Sequence, residues 1–179
     1  VNVDRFSPAQ ERGDFYLHVS RLVPYKMTAE IIRAFNELQL PLIIIGDGPE
    51  MQKKKKLAKD NVKLLGYQSD ELVTDLMNRA KGFIYMAVED FGIAMVEAQA
   101  AGCPVIAYGK GGAAEIVQDG MSGLLFQEQT SRSLIEAVLQ SEKIKLNSKA
   151  AFENAARFSS KRFRDEFSNY MEAAINSSR

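Results

Sequence analysis

The sequence predicts a doubly wound α/β domain, a parallel sheet with helices on both faces, that continues into a C-terminal helical extension. Short apolar runs alternate with amphipathic stretches over most of the 179 residues, and from Ser131 onward only helical patterns remain. Strands and helices that alternate at this spacing are typical of parallel sheets built from strand–helix–strand units. The length suits one domain with a full hydrophobic core.

The first half of the chain contains three predicted strands, each followed by a predicted helix. The run at 42–45 is apolar at every position, as expected for a strand that is covered on both faces of a parallel sheet. In the first helix, Ile31, Ile32 and Phe35 share one face. The predicted strands span 15–22, 42–45 and 61–65, and the predicted helices are 28–38, a charged stretch ending near Asp60, and a segment capped by Ser69 and Asp70 that runs to about Ala80.

The second half adds further strands and then helices alone. Strands are predicted at 82–87, 104–108 and 123–126, with helices at 92–101 and 113–117, and the final helices span 131–141, 147–157 and 159–176. The first dozen residues lack periodicity and contain Pro8. We therefore expect an interdomain linker or arm at 1–12, the α/β domain at 13–130, and C-terminal helices of the same domain at 131–179. The first residue is Val1 rather than methionine, which leads us to expect a piece of a longer protein.

The composition excludes several classes of function. The chain has 23 basic and 23 acidic side chains, so its formal net charge is zero, which disfavours DNA, RNA and anionic lipid as main partners. One cysteine, Cys103, excludes an intramolecular disulfide, and one histidine leaves too few ligands for a Cys/His metal site. No apolar run is long enough to span a bilayer. We expect a cytoplasmic protein, or one that binds peripherally at the cytoplasmic face of a membrane in its full-length form.

Ligands of doubly wound sheets bind beyond the carboxyl ends of the strands, where the strand order reverses. The loop after the first predicted strand places Arg21 and Lys26 five residues apart, so an anion there would meet a guanidinium and an ammonium together. Basic residues are also common on surface loops, so this pair alone leaves a merely solvated loop open.

The loop after the second strand contains Gly46 and Gly48, the first two glycines of a dinucleotide fingerprint. The third glycine of that pattern is missing, because Met51 occupies its position, and the nicotinamide signature therefore fails. A tight turn at which a ligand can approach the backbone remains the prediction for this loop.

The segment after the fourth strand carries the most chemistry. Gly92 opens a helix whose free N–H groups and positive dipole end are expected to point at the ligand crevice. Glu89 precedes that helix and Glu97 lies within it. Two carboxylates beside an anion-binding helix start suit a ligand with hydroxyls at both ends, because carboxylates accept hydrogen bonds from sugar and ribose hydroxyls. A nucleotide sugar has this distribution of phosphate and hydroxyl groups.

Three other features of the sequence concern possible ligand contacts. Residues 109–112 form a glycine-rich loop before a short helix, in which several N–H groups could converge on an anion. The four lysines at 53–56 cover more than one helical turn and are expected to be solvated. His18 lies inside the first strand, and a structural role is expected for it rather than a catalytic one.

Together, these motifs resemble those of the retaining group 1 glycosyltransferases, and the resemblance covers nearly the whole chain. Glu89 and Glu97 match the family's E-x7-E motif, and Arg21 and Lys26 fall at its Arg and Lys positions. Further segments similar to the family pattern are the linker-like 1–6, the GxGP-like turn at 46–50, the run AQAAGCPVIA at 98–107, and the tail from Gly111, Gly112 and Glu115 through 119–126.

The resemblance implies a role for each matching position. It implies the C-terminal, donor-binding domain of a GT-B enzyme, with Arg21 and Lys26 on the diphosphate, where they offset the charge that develops as the diphosphate leaves. Glu97 would hold the ribose hydroxyls, and Glu89 would hold the transferred sugar and the distal phosphate with the backbone of Phe91, Gly92, Ile93 and Ala94. The remaining expected contacts are Tyr67 and Gln68 at the base, and the glycines Gly46, Gly48, Gly111 and Gly112.

The resemblance also carries expectations about cofactors, donor and partners. The family needs no divalent metal, the chain has no D-x-D sequence, and no cofactor is expected beyond a GDP- or UDP-sugar substrate. Met27 replaces a common glycine, and Met86-Ala87 replaces a common proline-serine pair. The EDFGI segment and the stretch 108–112 are similar to the corresponding segments of mannosyltransferases that use GDP-mannose. A separate N-terminal domain would supply most of the acceptor site. An epimerase or phosphorylase of the same fold and a non-catalytic nucleotide-binding module stay open as alternatives.

Overall fold

Six parallel strands form one sheet in the order β3-β2-β1-β4-β5-β6. The structure, a computed structural model, describes residues 1–9, 11–144 and 146–177. The strands are β1 (Tyr16–Val19), β2 (Leu42–Ile45), β3 (Val62–Gly66), β4 (Gly82–Tyr85), β5 (Val105–Tyr108) and β6 (Gly123–Phe126). The helices are α1 (Thr28–Leu38), α2 (Met51–Leu57), α3 (Asp70–Arg79), α4 (Ile93–Ala100), α5 (Gly112–Ile116), α6 (Ser131–Lys143), α7 (Ser148–Ala155) and α8 (Ser160–Ser177).

The predicted fold class is confirmed, with differences at the ends of several elements. β1 is shorter than the predicted 15–22, because its pairing with β2 ends at Val19 opposite Ile45. The chain then turns through a 3-10 helix at Pro24–Lys26, in which proline supplies a fixed φ at the first position. Ser69 caps α3 as predicted, because its hydroxyl accepts a hydrogen bond from the Leu72 amide.

Both faces of the sheet are covered by helices, which explains why the strands are apolar on both sides. On one face, Phe35 and Ile31 of α1 pack with Ile44 of the sheet. On the other face, Phe83 packs with Met95 of α4. The sheet is therefore a rigid platform covered on both faces, with loops at its two ends.

The C-terminal helices pack on this platform to different extents. α6 packs against α1, and α7 packs against α4, where the buried side chain of Asn154 donates hydrogen bonds to the Ile116 carbonyl at 2.6 Å and to the Gln99 side chain at 2.5 Å. α8 has no buried residue. The last two residues of the predicted part at 131–179 lie outside the described residues, and so does residue 145.

The first residues of the chain lie against the domain. The Val1 amino group donates a hydrogen bond to the Phe158 carbonyl at 2.8 Å, and the Val1 carbonyl accepts one from the Ser160 amide at 2.9 Å. Arg12 donates to the backbone carbonyls of Ala80 and Ala101 at 2.8 and 2.9 Å. The linker expectation for 1–12 stays a prediction, and residue 10 lies outside the described residues.

The expectation that all four lysines of α2 are solvated is wrong for one of them. Lys54 is only 6% exposed, and its ammonium lies 2.9 Å from the Glu50 carboxylate one turn earlier. The ion pair allows the Lys54 side chain to pack inward, because a buried cation is tolerated only when it is paired.

None of the helices in the described ranges combines the length and the apolar character that a bilayer crossing needs.

Candidate functional site

Two adjoining clefts lie at the carboxyl ends of β1, β2 and β4, where the strand order reverses between β1 and β4. We call them the Arg21 cleft, of about 510 Å³, and the Lys26 cleft, of about 410 Å³; Val19 and Ser20 line both. The Arg21 cleft is further lined by Arg5, Arg21, Ile45, Gly46, Asp47, Tyr67, Gln68, Asp70, Val73 and Glu97. The Lys26 cleft is further lined by Lys26, Tyr85, Glu89, Asp90, Phe91, Gly92, Ile93 and Ala94.

The loop after β2 is pressed against the loop after β1, and its glycines make this possible. A Cβ on Gly46 would lie 1.9 Å from the Ser20 carbonyl oxygen, and one on Gly48 would lie 2.4 Å from the Leu22 carbonyl oxygen. The Leu22 amide also donates to the Asp47 carbonyl at 2.9 Å. The predicted approach of a ligand to the backbone of this tight turn is therefore corrected at Gly48, where the protein's own backbone fills the space, whereas Gly46 lines the Arg21 cleft.

The Lys26 ammonium is held from three sides. It forms an ion pair with Glu89, donates a hydrogen bond to the Tyr85 hydroxyl at 2.9 Å, and lies 5.0 Å from the centre of the Tyr25 ring. Burial opposes its charge, but the hydrogen bonds to Glu89 and Tyr85 raise the pKa of Lys26 above its usual value. An ammonium has three N–H donors, and Glu89 and Tyr85 engage two of them. One donor is left for an anion in the cleft.

Met27, which follows Lys26, adopts a left-handed conformation with φ of 57°. Glycine adopts this conformation without steric cost, whereas other L-residues pay about 1–2 kcal/mol. Met27 therefore replaces the family's common glycine at the cost of backbone strain. The loop after Lys26 keeps the left-handed conformation that glycine would favour.

Helix α4 begins at the Lys26 cleft. Gly92 caps it with φ of 91°, and a Cβ there would lie 2.3 Å from the Met95 side chain. The amides of Ile93 and Ala94 donate to no described residue, so the first turn presents two unused donors and the positive end of the helix dipole. This part of the anion-site prediction agrees with the geometry.

Glu97 lies one turn further along α4, in the Arg21 cleft. Its carboxylate is 3.5 Å from the Arg5 guanidinium, which also lies 3.4 Å from Asp70 at the start of α3. Burial raises the pKa of Glu97 above its usual value, and the positive charge of Arg5 partly opposes that shift. Glu97 is thus a partly desolvated acceptor next to a cation that no sequence motif had placed there.

The glycine-rich loop at 109–112 packs against the Glu89 loop instead of forming an anion cradle. The amides of Gly109, Lys110 and Gly112 donate to the carbonyls of Phe126, Tyr108 and Glu89 at 2.9, 2.7 and 2.7 Å, so they are not available to a ligand. A Cβ on Gly111 would lie 2.5 Å from the Glu89 carbonyl oxygen, and one on Gly112 would lie 2.1 Å from that of Phe91. The two glycines are needed for this close approach, and the cradle prediction is corrected.

Tyr67 and Gln68 lie at the carboxyl end of β3, on the outer wall of the Arg21 cleft. Tyr67 is 81% exposed, and the Gln68 side-chain amide donates to the Leu65 carbonyl at 2.7 Å. A fixed amide beside an open aromatic ring is a surface on which a planar base can stack.

His18 lies beneath the junction of the two clefts and is 1% exposed. Its Nδ1 is 2.9 Å from the Ile84 carbonyl, which can only accept, so Nδ1 carries the proton and Nε2 accepts from the Ser20 hydroxyl at 2.8 Å. Burial, helped by the charge of Lys26, lowers the pKa of His18 to about 4. These contacts agree with the structural role expected for this side chain.

The structure thus brings most of the expected residues to one edge of the sheet but divides them between two clefts. Arg21 and Lys26 do not face a single pocket, and the Arg21 guanidinium pairs with none of the described residues. Gly48, Gly111 and Gly112 are not among the described residues that line either cleft.

Sequence reasoning missed Arg5 and Tyr85. Tyr85 ends β4, so the rule that ligands bind at the carboxyl ends of strands could have marked it. Arg5 lies 92 residues from Glu97 in sequence, and no pattern links them. Among the described residues, no group of three or more His, Cys, Asp or Glu side chains is arranged to hold a metal ion.

Comparisons with known proteins bear on the family and the fold of this chain. The family model described as "Glycosyl transferases group 1" matches residues 2–158. An uncharacterized glycosyltransferase of Methanocaldococcus jannaschii is 32% identical over 83% of this chain. A GDP-mannose-dependent alpha-(1-6)-phosphatidylinositol monomannoside mannosyltransferase of Mycobacterium tuberculosis is 33% identical over 78% of it. The crystal structure of Anabaena HepE in complex with UDP-glucose matches the whole chain with a TM-score of 0.74 and 27% identity.

The matches cover only part of these proteins. The chain spans 44% of the length of each of the two relatives and 56% of the HepE chain.

Proposed function

The chain belongs to the group 1 glycosyltransferases, and from this premise we propose that its two clefts together bind the nucleotide-diphosphate-sugar donor of a hexosyl transfer. The observation that carries the proposal is the arrangement of charge at the point where the strand order reverses. Each cleft combines a cation with a carboxylate, Arg21 with Glu97 in one and Lys26 with Glu89 in the other, and the free amides at the start of α4 lie in the second. A ligand with a central diphosphate and hydroxyls at both ends matches this arrangement.

The division into two clefts supports an orientation of the donor. Arg21, Tyr67 and Glu97 share one cleft, and an aromatic ring, a guanidinium and a carboxylate suit a base, a phosphate and a ribose. Lys26, Glu89 and the α4 amides share the other cleft and suit the distal phosphate and the sugar. In this orientation the diphosphate lies across Ser20, which borders both clefts.

The chemistry proposed for these residues is stabilisation of the leaving diphosphate. When the sugar–phosphate bond breaks, negative charge grows on the distal phosphate, and preorganised donors at that position lower the barrier. Lys26 has one unused N–H donor, and the amides of Ile93 and Ala94 have no other acceptor among the described residues. We propose that these groups and Arg21 take the place of a metal ion, so chelation of divalent metals leaves donor affinity unchanged.

The finer donor and stereochemical assignments are also proposals. GDP-mannose is the first donor to test, because the EDFGI segment and the mycobacterial relative both suggest it. UDP-glucose is the second, because HepE was crystallised with it. We propose transfer with retention of anomeric configuration, to a glycan or lipid-linked acceptor that is bound outside this chain, and a cytoplasmic location.

Calorimetric titration of the chain with GDP-mannose and UDP-glucose tests the proposal. Arg21→Ala is expected to weaken donor binding by about 10- to 100-fold, since a hydrogen bond to a charged group contributes about 1.5–3 kcal/mol. Arg132→Ala is the matched control, because it removes an exposed arginine that pairs with Glu136 on α6. Binding of neither donor, or equal affinities for wild type and Arg21→Ala, would contradict the proposal.

A further inference from the structure

Among the described residues that line the Arg21 cleft, Arg5 is the cation that comes from the segment before β1. Its guanidinium bridges two carboxylates that belong to different helices, Glu97 on α4 at 3.5 Å and Asp70 on α3 at 3.4 Å. The guanidinium also lies 4.9 Å from the centre of the Phe6 ring, and Phe6 is buried in the core. The 3-10 turn Val3–Arg5 packs against α4, so backbone and side chain are both placed by the fold.

The bridge leaves both partners with hydrogen-bonding capacity. A carboxylate has about four acceptor sites and a guanidinium has five N–H donors, and each contact here uses one of them at a rather long distance. The Glu97 side chain is 22% exposed, toward the cleft that Arg5 also lines. A ligand hydroxyl can therefore reach Glu97 while Arg5 stays in place.

The electrostatic surroundings of Glu97 show why a cation is needed there. Burial disfavours its charged form, Asp70 adds a second negative charge, and Arg5 and the Val1 amino group supply the positive charges that act on it. A carboxylate that becomes protonated loses charge-assisted acceptance from hydroxyls.

We propose that Arg5 is a positioning residue that holds the Glu97 carboxylate in the Arg21 cleft as an acceptor for the vicinal hydroxyls of a bound ligand. The inference rests on the proposed function in one respect, which is that the hydroxyls belong to the ribose of a nucleotide sugar. It assigns a binding role to the segment that precedes the sheet, in addition to a connecting one.

The test is the pH dependence of donor binding in Arg5→Ala, Arg5→Lys and wild type. The diphosphate of a nucleotide sugar is esterified at both ends, so it lacks the ionisation near pH 6 of a phosphate monoester, and its charge stays constant from about pH 5 to about pH 8. The ratio of the Arg5→Ala to the wild-type dissociation constant is expected to grow by up to about tenfold as the pH falls over this range, because a protonated Glu97 no longer offers the ligand a charged acceptor and such hydrogen bonds contribute a factor of about ten or more to affinity. Arg5→Lys keeps the positive charge and is expected to restore most of the wild-type profile.

Two controls separate this role from a general loss of structure. Arg79→Ala removes an exposed arginine that pairs with Asp75 on the neighbouring face of α3, and it is expected to leave the profile unchanged. The Glu97→Gln variant has no carboxyl group to titrate at this position. In that variant, adding Arg5→Ala is expected to cause no further pH dependence of the dissociation constant. An affinity ratio that stays constant with pH would overturn the proposal, and so would tighter binding by Arg5→Ala, which would mean that Arg5 blocks the cleft.

A measurement without ligand keeps the two proposals distinguishable. Carbon-13 titration of the Glu97 carboxyl by NMR is expected to give a higher pKa in Arg5→Ala than in wild type and an intermediate pKa in Arg5→Lys. Equal pKa values in all three proteins would overturn the role of Arg5. If wild type binds no nucleotide sugar, the proposed function fails, and this titration still decides whether Arg5 controls Glu97.

Discussion

Gly46 illustrates how a single residue shapes the site. It has φ of 126°, and a side chain on it would collide with the Ser20 carbonyl oxygen in the loop that connects the two clefts. The sequence alone suggested that the glycines of this turn leave room for a ligand. The structure shows that they first leave room for another part of the backbone, and only this close approach brings the loops after β1 and β2 together.

A comparison of two glycine substitutions tests this explanation. Gly46→Ala is expected to cost more than about 3 kcal/mol of unfolding free energy, because it combines an unfavourable φ with a backbone clash. Gly120→Ala is the control, since Gly120 has φ of 74° but no atom within 4 Å of the added Cβ, and it is expected to cost only about 1–2 kcal/mol. Equal losses of unfolding free energy for the two variants, measured by urea denaturation, would contradict this explanation, because the backbone clash at residue 46 would then add no cost.

His18 gives a prediction about pH. Its pKa is lowered to about 4 in the folded protein, against about 6.5 in an unfolded chain, so the unfolded state binds the proton first as the pH falls. Stability is therefore expected to decrease between about pH 6.5 and about pH 4, by about 3 kcal/mol from this group. His18→Asn removes the titrating group, so its unfolding free energy is expected to change less over this range. A variant that loses stability as steeply as wild type would contradict the assignment of a buried neutral histidine.

The secondary-structure elements show how far sequence patterns reach. β2 and α1 have the predicted bounds, because a run of four apolar residues and a single apolar face each have one reasonable interpretation. β1 was predicted too long, because Leu22 is buried without being in the sheet. Its burial comes from the turn that folds back over the core, and a local pattern does not contain that information.

Buried hydrogen bonds of a side chain of α7 help to attach this helix to α4. Asn154 is 4% exposed and donates to the Ile116 carbonyl and to the Gln99 side chain, which lies in α4. Asn154→Ala is expected to cost about 2–4 kcal/mol, because it leaves buried acceptors without partners. Glu153→Ala changes an exposed neighbour on the same helix and is expected to stay within about 0.5 kcal/mol of wild type. Similar unfolding free energies for the two variants would contradict this account.

The protein as a whole has a formal net charge of zero, yet its two clefts are lined by several charged side chains. The equal numbers of acidic and basic residues that disfavour a polyanionic partner include the opposed groups of the two clefts. The general position of the site followed from the sequence, because doubly wound sheets bind ligands where the strand order reverses. The division into two clefts, the Lys26–Glu89 pair and the Arg5 bridge did not, because each depends on long-range packing between elements.

Mapping of backbone amide shifts by NMR during titration with GDP-mannose and UDP-glucose tests the central claim, that the paired clefts bind a nucleotide sugar, most directly. We expect saturable changes in the amide shifts of Arg21, Tyr67, Ile93 and Glu97, with the amides of β6 and α6 unaffected. Changes that cluster at β6 and α6, or no changes with either donor, would contradict it.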